Sequence, residues 1–450
     1  MADESRFTIL TLGCKINQYE TQALKEGWQR KGLSFVERIE DADVVLINSC
    51  AVTEGAVQDA RKAARRVHRT RPEARIVITG CAVPRAAEDL TDLPLQAVLV
   101  PQRDKPLLQN DPGLCRASWD ASVPWRRAKR RQGFPGLSIS AFPRVRPVLK
   151  VQDGCSKGCT YCIVPLTRGP SRSREPKDIL AEANRLLQAG HHELVLSGIN
   201  LGQYAKPSRG LSDFWDLLRW LEERIVDISP GSVRLRMSSL EPNLLHAKGL
   251  DALSESRLVC PHLHVSLQSA SPGVLRRMGR DPGSAERVSA FVQDLAGKWP
   301  LLGLGADLLV GFPGETAADF EQTLAFCREM PFSYGHVFAY SPRPGTKAKA
   351  MEGQVGSREK KERSRLLREM LTERREEFLA RLARQQRVRV VLEDTERSVG
   401  LCEHYAVCRF DEPLTSEEPG ALVDARPAKV SGGELRVRCA SGTSDFMEVL

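Results

Sequence analysis

Strand-like and helix-like segments alternate along most of this chain, and no other feature restricts its fold as strongly. Because consecutive strands joined by a helix run parallel, the alternation predicts an α/β architecture built on parallel sheets. In the first hundred residues the β-rich runs are 7–12, 44–48, 75–79 and 97–100, with helical segments at 18–30 and 57–69. We therefore expect an N-terminal α/β domain over residues 1–105.

Three cysteines each follow one of these predicted strands. Cys14 comes after the first strand, Cys50 after the second and Cys81 after the third. The carboxyl ends of parallel strands meet at one edge of a sheet, so we expect the topology to bring the three thiols together. Three thiolates suit a soft metal or an iron–sulfur cluster. Three buried structural cysteines are the plainer alternative.

A second group of cysteines is compact in sequence. Cys155, Cys159 and Cys162 lie within eight residues of one another. Such a loop can hold three corners of a cubane cluster and leave one iron open to a substrate or cofactor. A structural zinc site is the alternative, but zinc takes four protein ligands. The nearest histidines downstream, His191 and His192, stand just before a predicted strand rather than beside the loop.

After this loop the alternation resumes and predicts a barrel. The strand-like runs are 148–151, 193–197, 233–237, 262–267, 303–310 and 336–340. Six β/α units predict a partial parallel (β/α)6 barrel, whose chemistry is expected past the carboxyl ends of its strands. The residues that we expect there as cofactor contacts are Gly198, Asn200, Ser239, Gln268, Gly311 and Tyr340, with Tyr161 from the cysteine loop. His262 and His264 alternate on one strand and are either pocket-lining or core residues.

The last hundred residues differ in pattern. Residues 357–389 are helical in composition and densely charged, typical of a solvated helix face, although some of the arginines could contact RNA. Short strand-like runs at 388–392, 405–410, 421–424 and 435–438 then predict a small β-barrel. A basic run at 125–131 is either a mobile solvated segment or a phosphate-contacting arm with Trp125 available to stack on a base.

The net charge of the chain and its expected compartment restrict the classes of function further. The acidic N-terminus lacks an apolar signal region, and no apolar run is long enough for a membrane helix, so we expect a cytoplasmic protein. In that compartment the twelve cysteines are expected to be reduced, which favours metal binding over disulfides. A net charge of +9 favours a polyanionic partner, although many basic proteins bind no nucleic acid.

These motifs together resemble a known family. Cys155, Cys159 and Cys162 form a CxxxCxxC motif similar to that of the radical S-adenosylmethionine enzymes. The settings of the three N-terminal cysteines, with the runs 311–316 and 340–346, resemble the methylthiotransferase branch. Within it the run 13–20 is most similar to the threonylcarbamoyladenosine tRNA methylthiotransferases. The isopentenyladenosine enzymes usually carry Gln where Lys15 stands, and the ribosomal-protein branch usually carries Pro.

The resemblance implies an enzyme with two [4Fe-4S] clusters. The cluster on Cys155, Cys159 and Cys162 would bind S-adenosyl-L-methionine and yield a 5′-deoxyadenosyl radical, and the cluster on Cys14, Cys50 and Cys81 would carry or donate sulfur. The product would be the 2-methylthio derivative of N6-threonylcarbamoyladenosine at position 37 of tRNA. An electron donor such as a flavodoxin or ferredoxin would be needed. No catalytic side chain is expected beyond the cluster ligands.

The same resemblance divides the chain into four parts. Residues 1–105 would be the methylthiotransferase domain with the auxiliary cluster, and 106–146 a basic linker. Residues 147–376 would be the radical S-adenosylmethionine domain and 377–450 a TRAM-like RNA-binding domain. The remaining cysteines have no expected role; they are Cys115, Cys260, Cys327, Cys402, Cys408 and Cys439.

Other functions stay open at this point. The same chemistry could act on isopentenyladenosine in tRNA or on an aspartate of a small-subunit ribosomal protein. A non-enzymatic, zinc-containing RNA-binding protein is a third alternative. The basic charge is consistent with an RNA substrate, because lysine and arginine track phosphates while a base of a single-stranded loop enters a pocket.

Overall fold

A computed structural model gives the structure of residues 5–84, 97–110, 133–228, 233–414 and 417–440. Cys115 and the basic run at 125–131 lie outside these residues. The described part forms a parallel-sheet domain, a partial barrel and a closed C-terminal barrel, so the predicted fold class is confirmed. No helix in the described part is long and apolar enough to cross a membrane.

The N-terminal domain is a five-stranded parallel sheet in the order β2-β1-β3-β4-β5. Its strands are β1 (Arg6–Thr11), β2 (Ser34–Phe35), β3 (Val44–Ser49), β4 (Arg75–Gly80) and β5 (Val98–Pro101), and its helices α1 (Lys15–Arg30), α2 (Glu54–Thr70) and α3 (Lys105–Asn110). The run 44–47 of β3 is continuously apolar because helices or loops cover both faces of the sheet. The short strand β2 was not predicted.

The central domain is the predicted six-stranded partial barrel. Its parallel strands are β6 (Val148–Lys150), β9 (Glu193–Ser197), β10 (Arg234–Met237), β11 (His262–Gln268), β12 (Gly303–Val310) and β13 (Phe332–Ala339). They pair as two three-stranded sheets, β10-β9-β6 and β11-β12-β13. Single parallel bridges between Leu235 and Val259 and between Leu240 and Val265 connect the two sheets. A two-stranded antiparallel ribbon, β7 (Gln152–Asp153) and β8 (Arg172–Ser173), flanks the cysteine loop.

Helices surround this barrel. They are α4 (Val164–Arg168), α5 (Pro176–Gln188), α6 (Phe214–Ile228), α7 (Ala247–Glu255), α8 (Pro272–Arg277), α9 (Ser284–Leu295) and α10 (Ala317–Glu329). Alternate residues of the strands, such as Leu263 and Val265 on β11, pack into the main core against these helices. The residues between them, His262 and His264, therefore face the barrel interior, because side chains alternate along a strand.

The C-terminal part consists of α11 (Ser357–Leu382) and a closed five-stranded barrel. The strands are β14 (Val388–Asp394), β15 (Val399–Cys402), β16 (Val407–Phe410), β17 (Leu422–Ser431) and β18 (Glu434–Cys439). The helical composition expected to residue 389 ends earlier, at Leu382, because Val388 and Val390 alternate into the core of this small barrel. Strand β15 was not predicted as a strand.

The small barrel closes one end of the central barrel. Arg236 of β10 donates to the carbonyl oxygens of Cys402 and Glu403, and the ring of Tyr405 stacks on His262 at 4.6 Å between centroids. A Cβ at Gly303 would collide with the carbonyl oxygen of His404. The loop between β15 and β16 thus covers the amino ends of β10 to β12, and the carboxyl ends lie at the opposite mouth.

Candidate functional site

Three thiols meet at the edge of the N-terminal sheet. The backbone N–H of Cys81 donates to the carbonyl oxygen of Ser49 at 3.1 Å, which fixes the third turn against the second. A Cβ at Gly13 would lie 2.5 Å from the Cβ of Cys50, so only glycine lets the turn that carries Cys14 approach so closely. The topology therefore brings together the three cysteines that the sequence placed at this edge.

These thiols differ in their exposure to solvent. Cys50 and Cys81 are buried, and Cys14 is exposed. Burial raises the pKa of Cys50, and the nearby Cys14 and Cys81 raise it further. A metal must therefore displace a proton from Cys50 when it binds. Three reduced thiols at one edge form a donor set of the kind that holds three irons of a cubane cluster.

A buried ion network lies behind this edge. The carboxylate of Glu20 on α1 accepts hydrogen bonds from Lys105 at 2.6 Å, from Lys150 of β6 at 2.8 Å and from Arg168 of α4 at 2.7 Å. Asp153 accepts from Lys150 and Arg168 at 3.1 and 3.0 Å. The network joins α1 and α3 of the N-terminal domain to the strand and loop that precede the second cysteine group.

The charges of this network do not cancel among its own members. It holds three cations, Lys105, Lys150 and Arg168, and two carboxylates, Glu20 and Asp153. Attraction to Cys81 raises the pKa of Arg168 against the effect of burial, together with Glu20 and Asp153. The network therefore places excess positive charge behind the edge that carries Cys81.

The second cysteine group lies in the loop between β7 and α4. A Cβ at Gly154 would collide with the carbonyl oxygen of Pro170, so this glycine, with φ +73°, lets the loop start against the following chain. The backbone N–H of Cys155 donates to the carbonyl oxygen of Gly169 at 3.0 Å. Thr160 fixes the middle of the loop, because its N–H donates to the carbonyl oxygen of Met278 at 2.9 Å.

Polar side chains surround the sulfurs of this loop. The Nδ2 of Asn200 lies 3.7 Å from the Sγ of Cys155, and the Nη1 of Arg280 lies 3.8 Å from the Sγ of Cys159. Glu241 accepts from Arg280 at 2.8 Å and from Lys157 at 2.7 Å. The sequence analysis missed Arg280 and Glu241. Glu241 follows the barrel strand β10 and Arg280 follows the helix α8, and these positions were the sequence signal that could have indicated them.

Burial is the largest influence on the pKa of two of these thiols, Cys159 and Cys162. It raises the pKa of Cys162 to about 12. It also raises the pKa of Cys159, although the neighbouring guanidinium of Arg280 counteracts it. Cys159 and Cys162 therefore hold their protons more tightly than free thiols do, and a metal that binds them must displace those protons.

The geometry of the cysteines distinguishes between two kinds of metal site. A tetrahedral zinc ion, with Zn–S bonds of about 2.3 Å, would draw its sulfurs to within about 4 Å of one another. Across the described ranges, no three cysteine sulfurs lie within 4.8 Å of one another. The described cysteines are therefore not arranged as a preformed tetrahedral zinc site.

Several residues expected to contact the cofactor lie around this loop. The ring of Tyr161 meets that of Phe312 edge-on at 6.4 Å, and Phe312 meets Tyr340 at 5.6 Å. Asn200 contacts Cys155 as described, and Gly198 packs against Gln152, whose Oε1 accepts from the Asn200 N–H at 2.8 Å. These residues form one group past the carboxyl ends of β9, β12 and β13.

The other expected contacts are placed less closely. Gln268 ends β11 with a left-handed backbone, φ +71°, where the pairing with β12 shifts register. Gly311 also has a positive φ, and its N–H donates to the carboxylate of Glu315. Ser239 is exposed and has no hydrogen bond with any residue that the structure describes. All three follow barrel strands, but the structure does not join them to the cysteine loop.

The barrel interior holds an aromatic and carboxylate network. The Tyr334 hydroxyl lies 2.8 Å from the Nε2 of His262 and 2.8 Å from the Nδ1 of His264. Asp307 lies 3.0 Å from the Nε2 of His264 and 3.3 Å from the Nδ1 of His336. Burial opposes ionisation of Asp307, but these histidines lower its pKa well below the usual range. His262 and His264 are thus buried members of a polar network in the barrel interior.

Comparisons with known proteins agree with this layout. The model of the uncharacterized protein family UPF0004 matches residues 6–100, and that of the Radical SAM superfamily matches residues 149–327. The threonylcarbamoyladenosine tRNA methylthiotransferase MtaB of Bacillus subtilis (strain 168) is 34% identical over 357 residues, 78% of this chain and 77% of its own length. The tRNA-2-methylthio-N(6)-dimethylallyladenosine synthase of Anaplasma marginale (strain St. Maries) is 33% identical over 374 residues, 81% and 79% of the two chains.

A solved structure supports the fold. The radical S-adenosylmethionine methyltransferase TsrM from Kitasatospora setae, with cobalamin and a [4Fe-4S] cluster bound, superposes with a TM-score of 0.56. The match covers 77% of each chain at 15% sequence identity. At that identity the likeness concerns the architecture alone.

Proposed function

Because this chain belongs to the radical S-adenosylmethionine methylthiotransferase family, we propose that it converts N6-threonylcarbamoyladenosine at position 37 of tRNA to its 2-methylthio derivative. The observation that carries the proposal is the pair of cysteine groups, one at the edge of the N-terminal sheet and one at the mouth of the barrel, joined by a buried ion network. A single chain thus presents two sets of three thiols to one reaction.

The cofactors of this family are S-adenosyl-L-methionine and two [4Fe-4S] clusters. We propose that Cys155, Cys159 and Cys162 hold the cluster that binds S-adenosyl-L-methionine. The auxiliary cluster would be held by the second set, which is Cys14, Cys50 and Cys81. When bound, these groups supply the radical chemistry and the sulfur. The donor chemistry fits, because each set consists of three reduced thiols, the ligands that an iron–sulfur cluster takes from a protein.

The chain itself positions and shields the reaction. Arg280 and Asn200 approach the sulfurs of Cys159 and Cys155, and we propose that they orient the cluster loop. For S-adenosyl-L-methionine we propose the contacts Tyr161, Gly198, Asn200, Ser239, Gln268, Gly311 and Tyr340. Adenine C2 is neither acidic nor nucleophilic, so side chains have little leverage on it and cofactor radical chemistry is the available route.

The assignment of domains and partners belongs to the same proposal. Residues 1–105, 106–146, 147–376 and 377–450 would be the auxiliary-cluster domain, a basic linker, the radical domain and a TRAM-like domain. The helix Ser357–Leu382 crosses the last of these boundaries and joins the two domains rigidly. The small barrel would bind tRNA, and a flavodoxin or ferredoxin in the cytoplasm would supply electrons.

The test is mass spectrometry of tRNA nucleosides from cells that lack the gene, compared with the parent strain. We expect the 2-methylthio-threonylcarbamoyl nucleoside to disappear and its unthiolated precursor to accumulate. Re-expression of the intact gene should restore the product, and re-expression of Cys50→Ala should not. Loss of a dimethylallyl product instead would reassign the substrate. An unchanged profile would direct the search to ribosomal proteins.

A further inference from the structure

A cavity of about 450 Å³ lies where α1, the chain before β6 and the small barrel meet. The residues that line it are Lys15, Gln18, Phe142, Pro143, Arg144, Val145, Arg146, Val148, Val195, Glu393 and Pro419. Val148 of β6 and Val195 of β9 are barrel residues, and Lys15 directly follows Cys14. The cavity therefore lies against the barrel wall, and one of its lining residues is the chain neighbour of the first cysteine.

The charges that line this cavity do not balance. Glu393 is the acidic residue of the lining, and Arg146 binds it at 2.7 Å. Lys15 and Arg144 form no hydrogen bond or ion pair with any described residue, and neither does the amide of Gln18. Two cations and one amide thus face the cavity without partners. The net positive charge of such a cleft attracts an anionic ligand.

The side chain of Lys15 lies among other polar and charged side chains although it is exposed to solvent. Its side chain is exposed to solvent by area, yet Arg146, Arg236, Glu193 and Tyr405 all lie near enough to act on its charge. Because Lys15 also lines the cavity, its side chain lies at the junction of the central barrel and the small barrel. An ammonium group so placed can donate up to three hydrogen bonds to a ligand that enters.

We propose that Lys15, with Gln18 and Arg144, binds the carboxylate end of the amino-acid substituent on the substrate adenine. This inference rests on the proposed function. A threonylcarbamoyl group ends in a carboxylate and also carries a hydroxyl, whereas a dimethylallyl group has neither charge nor hydrogen-bond capacity. Lys15 and Arg144 supply charge-assisted donors for the carboxylate, and the Gln18 amide supplies a donor and an acceptor for the hydroxyl or the carbamoyl group.

The position of the cavity agrees with the chemistry at C2. The exocyclic nitrogen N6 and the carbon C2 belong to the same six-membered ring, so a substituent on N6 stays within a short reach of the atom that receives sulfur. Lys15 is the residue next to Cys14, a proposed ligand of the sulfur-donating cluster. In the proposed arrangement one adenine would present C2 to that cluster while its N6 substituent lies in the cavity.

The experiment compares two anticodon stem-loops that differ only at the carboxylate. One carries threonylcarbamoyladenosine at position 37 and the other carries its primary carboxamide. Binding to the reconstituted enzyme is measured by fluorescence anisotropy, and kcat/KM is measured by product mass spectrometry. A hydrogen bond to a charged group contributes about 1.5–3 kcal/mol, so we expect the wild type to prefer the carboxylate by about 10- to 100-fold.

Substitutions at position 15 test the assignment. Lys15→Gln should reduce the preference to about threefold or less, and Lys15→Arg should keep most of it, because arginine retains the charge. Lys31→Gln removes a positive charge just past the end of α1, where Lys31 is exposed, and should leave the preference unchanged. Circular dichroism and iron content confirm that each variant is folded and loaded.

The outcomes separate this inference from the proposed function. Equal binding of the two stem-loops by the wild type, or an unchanged preference in Lys15→Gln, would overturn the carboxylate site whatever the turnover. If the wild type modifies neither stem-loop, the proposed reaction is wrong. A binding preference that disappears in Lys15→Gln would still establish the site in that case.

Discussion

The buried carboxylate of Glu20 provides the most demanding test of how the two cysteine groups are held together. Four side chains donate to it, namely Gln102, Lys105, Lys150 and Arg168. Burial disfavours the ionised form of Glu20, but Arg168, Lys105 and Lys150 overcome that effect and lower its pKa well below the usual range. The substitution Glu20→Gln keeps the shape of the side chain and removes its charge.

The expected cost follows from what the substitution leaves behind. With Glu20 neutral, Asp153 remains as the carboxylate partner of Lys150 and Arg168, and the buried Lys105 keeps only the amide oxygen of Asn48. Breaking a buried ion network by removing one partner costs about 3–5 kcal/mol. Burial already lowers the pKa of Lys105, so release of its proton would relieve part of the strain and favours the lower end of that range.

Thermal unfolding of the apo and reconstituted protein is the assay. For a domain of this size, about 3–5 kcal/mol corresponds to a Tm lower by roughly 6–20 °C. The matched control is Glu40→Gln, because Glu40 is exposed and its ion pair with Arg38, at 3.6 Å, lies in solvent. That control should change Tm by less than about 2 °C. A Glu20→Gln protein that melts together with the control would refute the view that this network joins the domains.

Three further results are expected. The substitution Cys50→Ala should lower the iron content of the reconstituted protein from about eight atoms to about four, because one of two [4Fe-4S] clusters is lost. Cys327 is a buried thiol on α10, and Cys327→Ala should leave the iron content unchanged. Burial would raise the pKa of Glu193, but Arg236 and Arg234 hold it at about 2. The ionised Glu193 therefore stabilises the folded state by about 3 kcal/mol above pH about 4.5, and this stabilisation is lost as the pH falls towards 2. Glu193→Gln should consequently flatten the acid-unfolding profile followed by circular dichroism. The affinity for tRNA should fall at least about tenfold between 50 and 200 mM salt in filter binding, because cationic side chains release counterions from phosphates, and a flat salt profile would contradict an RNA substrate.

The sequence predicted the elements whose pattern is local. Runs such as 303–310 and 193–197 became strands with those same bounds, because continuous apolar runs between loops have few other solutions. The meeting of Cys14, Cys50 and Cys81 followed from parallel topology alone. Strand β15 was missed because Gly400 and Cys402 give it a weak pattern, and pairing with β14 and β16 decides its conformation.

The residues that the sequence did not predict act over long separations. Arg280 reaches the sulfur of Cys159 across 121 positions, and Arg168 reaches Glu20 across 148. Charged residues of this kind look like surface residues in sequence, because nothing local indicates that they are buried together. Lys15 is similar, since only the packing of the small barrel against the central barrel shows that it faces an internal cavity.

The central claim is tested most directly with the purified, anaerobically reconstituted enzyme, S-adenosyl-L-methionine, a reductant and an anticodon stem-loop carrying threonylcarbamoyladenosine. We predict that mass spectrometry finds one methylthio group in place of one hydrogen, located on the adenine base, and that separate replacement of either cysteine group abolishes it. A protein loaded with both clusters that cleaves S-adenosyl-L-methionine but leaves the stem-loop unmodified would contradict the account.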